Sequence, residues 1–486
     1  MEAKREKVFK ENAQMIKMRG ELQHNINVRA VAQEVKNCSE KGKKASIYHG
    51  STNSTRALHF KKGEMIDVSA LNHILKIDVA NKYVSVEPNV PMDVLVKATL
   101  AHHLIPPVVM ELPGITVGGD IQGGAGESST FKYGSFHSCC EEYDIVLGNG
   151  TVITASAKKN KKIFRNIPCS YGSLGIIVRA KMRLIESKRY VHLAYHRVQS
   201  FEEAVQVIKN KIRENPDFID SIMFERNFGV VMIGRLTNEE MLPTARFRRA
   251  HDEWFYIRAQ KIAKKNKVWE ENIPIVDYLF RYNRGAFWVG RDAFKAIHIP
   301  FNRLTRFIFH KGCTTRMLYR GLHAANISQE FVIQDLALPQ EKTVHFLQWT
   351  DKKIGNYPLW LCPLKPERAC LFSPVALDTN LIIDVGMWCG KRYDFSEFKK
   401  INKDIETKVK QLKGRKVLYA HSYYTQKEFW NIYDEKEYNA LREKYHAAKI
   451  FPNIYEKITV QKRYKTSILK GFVKFLWSPF NLPIEK

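Results

Sequence analysis

No apolar run in this chain reaches the roughly 18 residues needed to cross a bilayer as a helix. The charged start, residues 1–12, also lacks the apolar centre of a secretion signal. Membrane insertion and export are therefore not expected. Cysteine is sparse as well: eight in 486 residues, with Cys139 and Cys140 adjacent, the others dispersed and no C-x-x-C pair. This excludes a disulfide scaffold and the usual zinc-ligand spacings, no metal site is expected, and dispersed thiols suit the reduced cytosol. Acidic side chains are in deficit. Lys and Arg number 78 against 50 Asp and Glu, a net charge of +28, which raises nucleic acid or an anionic membrane as partners. RNP-like aromatic motifs and basic heptads are both missing. The basic clusters at residues 41–44, 158–162, 246–249 and 261–267 are expected to be solvated surface first, a contact for anionic membrane or a phosphorylated cofactor second, and a nucleic-acid site last.

What the chain does have is a concentration of glycine. Residues 111–134 read ELPGITVGGDIQGGAGESSTFKYG, placing Gly114, Gly118, Gly119, Gly123, Gly124 and Gly126 among Thr116, Ser128 and Ser129. Tyr171-Gly172-Ser173-Leu174-Gly175-Ile176-Ile177 follows downstream. A backbone without Cβ approaches a ligand closely, and successive N–H groups in such turns make an anion-binding concavity. The two stretches are read as turns that converge into a pyrophosphate cradle. A Rossmann fingerprint would need a strand directly before the glycines and a helix directly after. Here the glycines are expected in a long loop, and residues 128–134 are too polar and broken to start a helix. The competing reading is a structural turn with no ligand.

A length of 486 residues with 44% hydrophobic content predicts two cores and a return segment. Residues 15–37 have helical apolar spacing. Residues 43–56, KKASIYHGSTNSTR, read as a strand entering a turn of Gly50, Ser51, Thr52, Asn53 and Ser54, whose small polar groups suit phosphate. Residues 74–87 alternate around Asn81-Lys82 as a hairpin. Residues 91–103 read as a helix with Met92, Val94, Leu95, Ala98 and Leu100 on its apolar face, and Gly148-Asn149-Gly150 turns a second hairpin. Beyond residue 189 the character changes: a helix over 201–212, strands within 221–236, then a basic aromatic segment, 243–321. Its rings are expected to pack a core, with lipid contact second and nucleobase stacking third. Strands at 330–335, 357–363 and 381–386, a helix over 395–412 and a strand over 418–424 follow. Residues 468–480 have the pattern of a basic interfacial helix.

PGITVGG, GGAGESSTFKYG, a strand ending LGNG, and YGSLGII resemble the FAD-binding domain of the vanillyl-alcohol-oxidase superfamily. VMELPGITVGG, GESSTFKYG, EFW and FPNIYEKI are similar to the sterol delta-24 reductases and their plant brassinosteroid-pathway relatives, from about residue 21 to about residue 458. The resemblance implies an α+β fold: a PCMH-type FAD-binding domain of two α+β subdomains (residues 1–189), a substrate or cap domain with an antiparallel sheet and flanking helices (190–415), a return segment near the flavin (416–460) and a basic amphipathic tail (461–486). It implies that FAD is held by Gly50, Ser51, Thr52, Asn53 and Ser54, by Glu111, Pro113, Gly114, Thr116, Val117, Gly118, Gly119, Gly123, Gly124, Gly126, Ser128, Ser129 and Tyr133, and by Gly172, Ser173, Gly175, Ile176 and Ile177. Relatives that bond flavin covalently use a histidine after the loop glycines. His49 precedes Gly50, so non-covalent FAD is expected. The family's N-terminal membrane anchor has no counterpart here, and the tail is expected to take its place, giving a cytosolic chain in peripheral contact with anionic membrane such as the endoplasmic reticulum.

The implied reaction reduces an isolated side-chain double bond of a sterol or related isoprenoid lipid, with NADPH as hydride source. Such an alkene has no electron-withdrawing group, so a positioned acid must protonate one carbon while hydride reaches the other. The candidates, in order, are Asp335, Tyr424 and His421. Two alternatives stand beside it: an oxidase or dehydrogenase of an alcohol or hydroxy acid on the same fold, and a non-enzymatic basic protein at a membrane or nucleic acid.

Overall fold

The computed structural model describes residues 2–50, 52–56, 60–61, 63–240, 243–367, 370–388, 390–459, 463–466 and 484–485, with backbone alone for 2–19, 61 and 484–485. Ser51 and the stretch 468–480 lie outside the described residues. The fold is mixed α+β and rests on two antiparallel sheets.

The first sheet has five strands in the order Ile74–Asp78, Tyr83–Val86, Ile176–Arg183, Cys140–Val146 and Val152–Ser156. Both expected hairpins form. Asp78 Oδ1 accepts from the Asn81 amide at 3.0 Å, and Asn149 Oδ1 accepts from Thr151 at 3.0 Å. The N-terminal helix Glu2–Glu40 lays Val28, Val31 and Val35 against Val146, Ile176 and Val178 of this sheet. The helix Met92–Leu100 is rotated from its expected face: Met92, Leu95, Val96 and Thr99 point inward, and Val94 is 46% exposed. Thr99 can sit inside because its hydroxyl donates to Leu95 O at 3.1 Å.

The expected glycine loop contains a helix, Val117–Gly123. Thr116 caps it, its Oγ1 accepting from the Gly119 amide at 3.2 Å, and Gly124 ends it in the left-handed region at φ 66°. Capping and docking offset the low helix propensity of glycine. The Gly118 amide donates to Pro88 O at 2.7 Å, and a Cβ on Gly118 would stand 2.7 Å from Pro88 Cβ. Residues Thr130–Tyr133, expected to stay irregular, make a single helical turn.

The second sheet has eight strands: Val268–Pro274, Tyr190–Val198, Phe228–Thr237, Phe218–Glu225, Leu359–Leu364, Ile382–Trp388, Ile333–Pro339 and Arg415–Lys416. Side chains alternate between its faces. Leu336, Leu338, Leu359, Leu361, Ile383, Val385 and Met387 pack on one face with the helices Phe201–Ile212, Gln340–Lys353 and Phe395–Gln411. On the other face Ile333 pairs with Trp388, Asp335 with Gly386 and Ala337 with Asp384, while Trp360 also pairs with Gly386.

Most rings of residues 243–321 are interior. Trp254, Phe255, Tyr256, Tyr278, Phe280, Tyr282, Phe287 and Trp288 are buried, and Phe287 stacks between Tyr282 at 4.0 Å and Trp388 at 4.3 Å. Core packing accounts for most of these rings, Phe287 also lining the cavity described below, and a buried ring has no face to offer a nucleobase. Residues 418–424 form turns with an isolated bridge from Ser422 to Thr459, not the expected strand. Among the described residues, no helix is long and apolar enough to cross a membrane.

Candidate active site

Between the glycine stretches and the face of the eight-stranded sheet that carries Asp335 and Trp388 lies a cavity of about 1010 Å³, at the top of the range for a single small ligand. The two glycine stretches meet at its floor. Gln122 Oε1 accepts from the Gly172 amide at 2.9 Å and from Ser170 Oγ at 3.0 Å, and the Cys169 amide donates to Ile121 O at 3.1 Å. A Cβ built on Gly123 would meet nothing within 4 Å, so that backbone faces open space. No described group accepts from the amides of Gly114, Thr116 or Gly126.

The same end of the cavity is cationic. Arg56, buried, and Lys457, half-buried, both line it. Lys457 Nζ donates to Tyr171 O; Arg56 Nη1 donates to Leu418 O and, at 3.4 Å, to Ala420 O, while its Nε has no described partner. Burial pushes the Lys457 ammonium down to about 8, and the neighbouring cations Arg56 and Arg442 push the same way. Partly desolvated cations with cations for neighbours call for an anion. Unpaired amides, an open glycine and two such cations are the donor set a diphosphate requires.

The other end is apolar, walled by Phe287, Phe294, Phe331, Trp360 and Trp388, and four carboxyls line the cavity, Asp335 and Asp384 from the sheet, Glu111 and, on the glycine helix, Asp120. Burial pushes Asp335 up to about 7, against an opposing pull from the Tyr419 hydroxyl beside it. Gly386, opposite Asp335, leaves room for it; a Cβ there would lie 2.9 Å from Asp335 Oδ1. Burial and then the charge of Glu127 push Glu111 up to about 8. Asp384 is raised by burial and by Asp335 and Glu111, and Asp120 by burial and by Glu111. Both oxygens of Asp120 lack a hydrogen-bond partner among the described residues.

Thr52, Asn53, Ser54, Glu111, Gly114, Thr116, Gly118, Gly119, Gly123, Gly124, Gly126, Gly172, Gly175, Ile176, Ile177 and Asp335 line the cavity. Other expected residues stand elsewhere. Val117 is in the core, and Pro113 O receives Arg316 at 3.1 Å. Ser128 Oγ turns to Glu127, and Ser129 Oγ donates to Pro107 O at 2.9 Å. Gly50, Tyr133 and Ser173 do not line the cavity either; Tyr133 packs against the core from outside, and Ser173 is fully buried. The structure also moves two acid candidates away. His421 packs edge-on against Phe398 at 5.6 Å, and burial together with Arg56 and Lys416 pushes it down to about 3, so it is the neutral imidazole and a poor acid. Tyr424 is buried in the core with its carbonyl accepting from the Tyr455 hydroxyl at 3.0 Å. Arg56, Asp120, Asp384, Tyr419 and Lys457 were missed in the sequence. The signal for Asp384 was present, an acid at an inward position of the apolar run LIIDVG.

The FAD binding domain family matches residues 27–156, so FAD is the cofactor, and the cationic, glycine-lined end fits it. The chain is 30% identical to the Delta(24)-sterol reductase of Macaca fascicularis over 463 residues, covering 91% of this chain and 87% of that one. It is 30% identical to the Homo sapiens protein of the same name with the same coverage, and 27% identical to that of Arabidopsis thaliana over 497 residues, 90% and 84% of the two chains. With the FAD domain and near-complete alignment to animal and plant relatives, the chain belongs to the Delta(24)-sterol reductase family and is an FAD-dependent oxidoreductase.

Proposed function

We propose that this chain reduces an isolated side-chain double bond of a sterol or related isoprenoid lipid, using NADPH as reductant and non-covalently held FAD. The observation that carries this reading is Asp335, a carboxyl that keeps its proton up to about pH 7 beside a wall of aromatic rings. The names of the relatives indicate the substrate class, and the aromatic wall suits a lipid body.

Bound FAD supplies hydride-transfer chemistry. The chain's own residues do the rest. Arg56, Lys457 and the amides of Gly114, Thr116 and Gly126 hold the diphosphate. Asp335 presents a proton to one alkene carbon, and the Tyr419 hydroxyl beside it orients the carboxyl and stabilises the carboxylate left behind. Glu111 and Asp384 stay neutral, because like charges this close cannot all ionise in a dry cavity. Phe287, Trp360 and Trp388 exclude water.

The test is to incubate the FAD-loaded protein with NADPH and a panel of delta-24 sterols and read product mass. A gain of two hydrogens is expected. No gain on any sterol, with turnover of an alcohol instead, would transfer the reading to an oxidase on the same fold.

A further inference from the structure

Singly exposed apolar side chains are ordinary on a protein surface. Here, among the described residues, five of the eleven large ones fall between Ile297 and Phe309. Leu304, Phe307 and Ile308 are 66%, 51% and 61% exposed. Their i, i+3, i+4 spacing puts them on one stripe of the helix Arg303–Ile308, which has no buried residue. The helix is held by what flanks it. Asn302 and Thr305 cap it reciprocally, Phe301 and Phe309 pack on the buried Phe294 ring at 5.5 and 6.0 Å, and the Arg306 guanidinium lies 4.9 Å from the Phe301 ring centre. The stripe takes no part in this anchoring and faces outward.

Two further observations bear on what covers it. Residues 291–311 carry Arg291, Lys295, Arg303, Arg306 and Lys311 against a single acid, Asp292, which lies 3.5 Å from Arg291. A second copy of the chain would bring the same positive rim and be repelled, whereas an anionic lipid surface complements it. Ile297 and Phe309 also line the large cavity, so the exposed patch and the apolar end of the active site are continuous.

We propose that residues 295–311 form a membrane-docking surface at the mouth of the cavity. Leu304, Phe307 and Ile308 enter the acyl region, Lys295, Arg303 and Lys311 engage anionic headgroups, and the opening between Ile297 and Phe309 faces the bilayer, so that a lipid substrate enters without crossing water. The entry route rests on the lipid-substrate reading; the docking does not.

The test is co-sedimentation of the FAD-loaded full chain with phosphatidylcholine vesicles, with and without phosphatidylserine. Wild type is expected to bind in a phosphatidylserine-dependent way. Phe307→Asp/Ile308→Asp should lower the partition coefficient about tenfold or more, and Arg303→Glu/Lys311→Glu should abolish the preference for phosphatidylserine. Both should keep the flavin spectrum and the wild-type rate on detergent-presented sterol, and lose rate on sterol embedded in vesicles. Unchanged partition in both variants would overturn the proposal. So would a wild-type dimer that Phe307→Asp/Ile308→Asp converts to monomer while vesicle binding persists, which would make the stripe a self-association face. If no sterol is turned over at all, the lipid reading falls and sedimentation still decides the docking.

Discussion

Burial in the apolar wall leaves Asp335 and Glu111 protonated at pH values where a surface carboxyl has long since ionised. An acid catalyst with its value near 7 predicts a turnover that is level at lower pH and falls tenfold per unit above about 7. Asp335→Asn should keep its FAD and lose about 100-fold or more in turnover; unchanged turnover would remove Asp335 from the mechanism. The sign for stability follows from the same shift. The folded protein holds these protons more tightly than the unfolded chain, so their contribution is complete below about pH 4 and is lost as pH rises through about 7 and about 8. The melting temperature of the apoprotein should decline across that window, less so in Asp335→Asn. At the cationic end, Lys457→Met should weaken FAD binding roughly tenfold or more, the worth of a charge-assisted hydrogen bond, read by quenching of flavin fluorescence on titration. Asp335 was singled out as an acid closing a strand over 330–335, whereas the strand runs Ile333–Pro339 and carries Asp335 in its interior, facing the cavity. Lys457 and Arg56 were not, because sequence spacing does not reveal which cation will lack a carboxylate, and Tyr419 was not, because it lies in a turn that reads as a strand. His421 misled for the same reason: the burial that keeps it neutral, and the cations Arg56 and Lys416 that add to it, arise only through the fold.

Elements with a clear period were legible. The helix Phe201–Ile212 and the hairpins around Asn81 and Gly148 formed where alternation, caps and turn residues agreed. The glycine stretch did not, because Val117–Gly123 owes its helix to the Thr116 cap and to docking on Pro88, both invisible to propensity. Two substitutions separate its roles. Gly118→Val drives a side chain into Pro88 and should lower the melting temperature of the apoprotein by several degrees, as a strained, overpacked contact does. Gly123→Val points into open cavity, and should leave the apoprotein's melting temperature near wild type while abolishing FAD retention. A Gly123→Val protein that purifies with full flavin would refute the placement of the diphosphate. The stretch 418–424 reads as a strand by its tyrosines, yet it turns so that Tyr419 reaches the cavity and Tyr424 the core.

Across the whole molecule, one buried arginine ties the halves that enclose the cavity. Arg281 donates to Glu127, beside the glycine helix, at 2.6 Å and to Asp220 of the eight-stranded sheet at 3.0 Å, and Tyr282 and Trp360 donate to the same Asp220 oxygen at 2.7 and 3.1 Å. Arg281→Met would strand two buried carboxylates and should cost about 3–5 kcal/mol, seen as a lower urea midpoint. The α+β architecture followed from the family resemblance, and the change of character near residue 189 falls where the eight-stranded sheet's strand Tyr190–Val198 begins. The network across it could not be anticipated, since Glu127, Asp220 and Arg281 are far apart in sequence. The account as a whole turns on Asp335 serving a lipid alkene beside FAD. Anaerobic mixing of NADPH with FAD-loaded wild type and Asp335→Asn, followed by a delta-24 sterol, tests that most directly. Both proteins should lose their yellow colour at the same rate on adding NADPH, and the sterol should restore it in wild type alone. Equal recovery in Asp335→Asn would contradict the account.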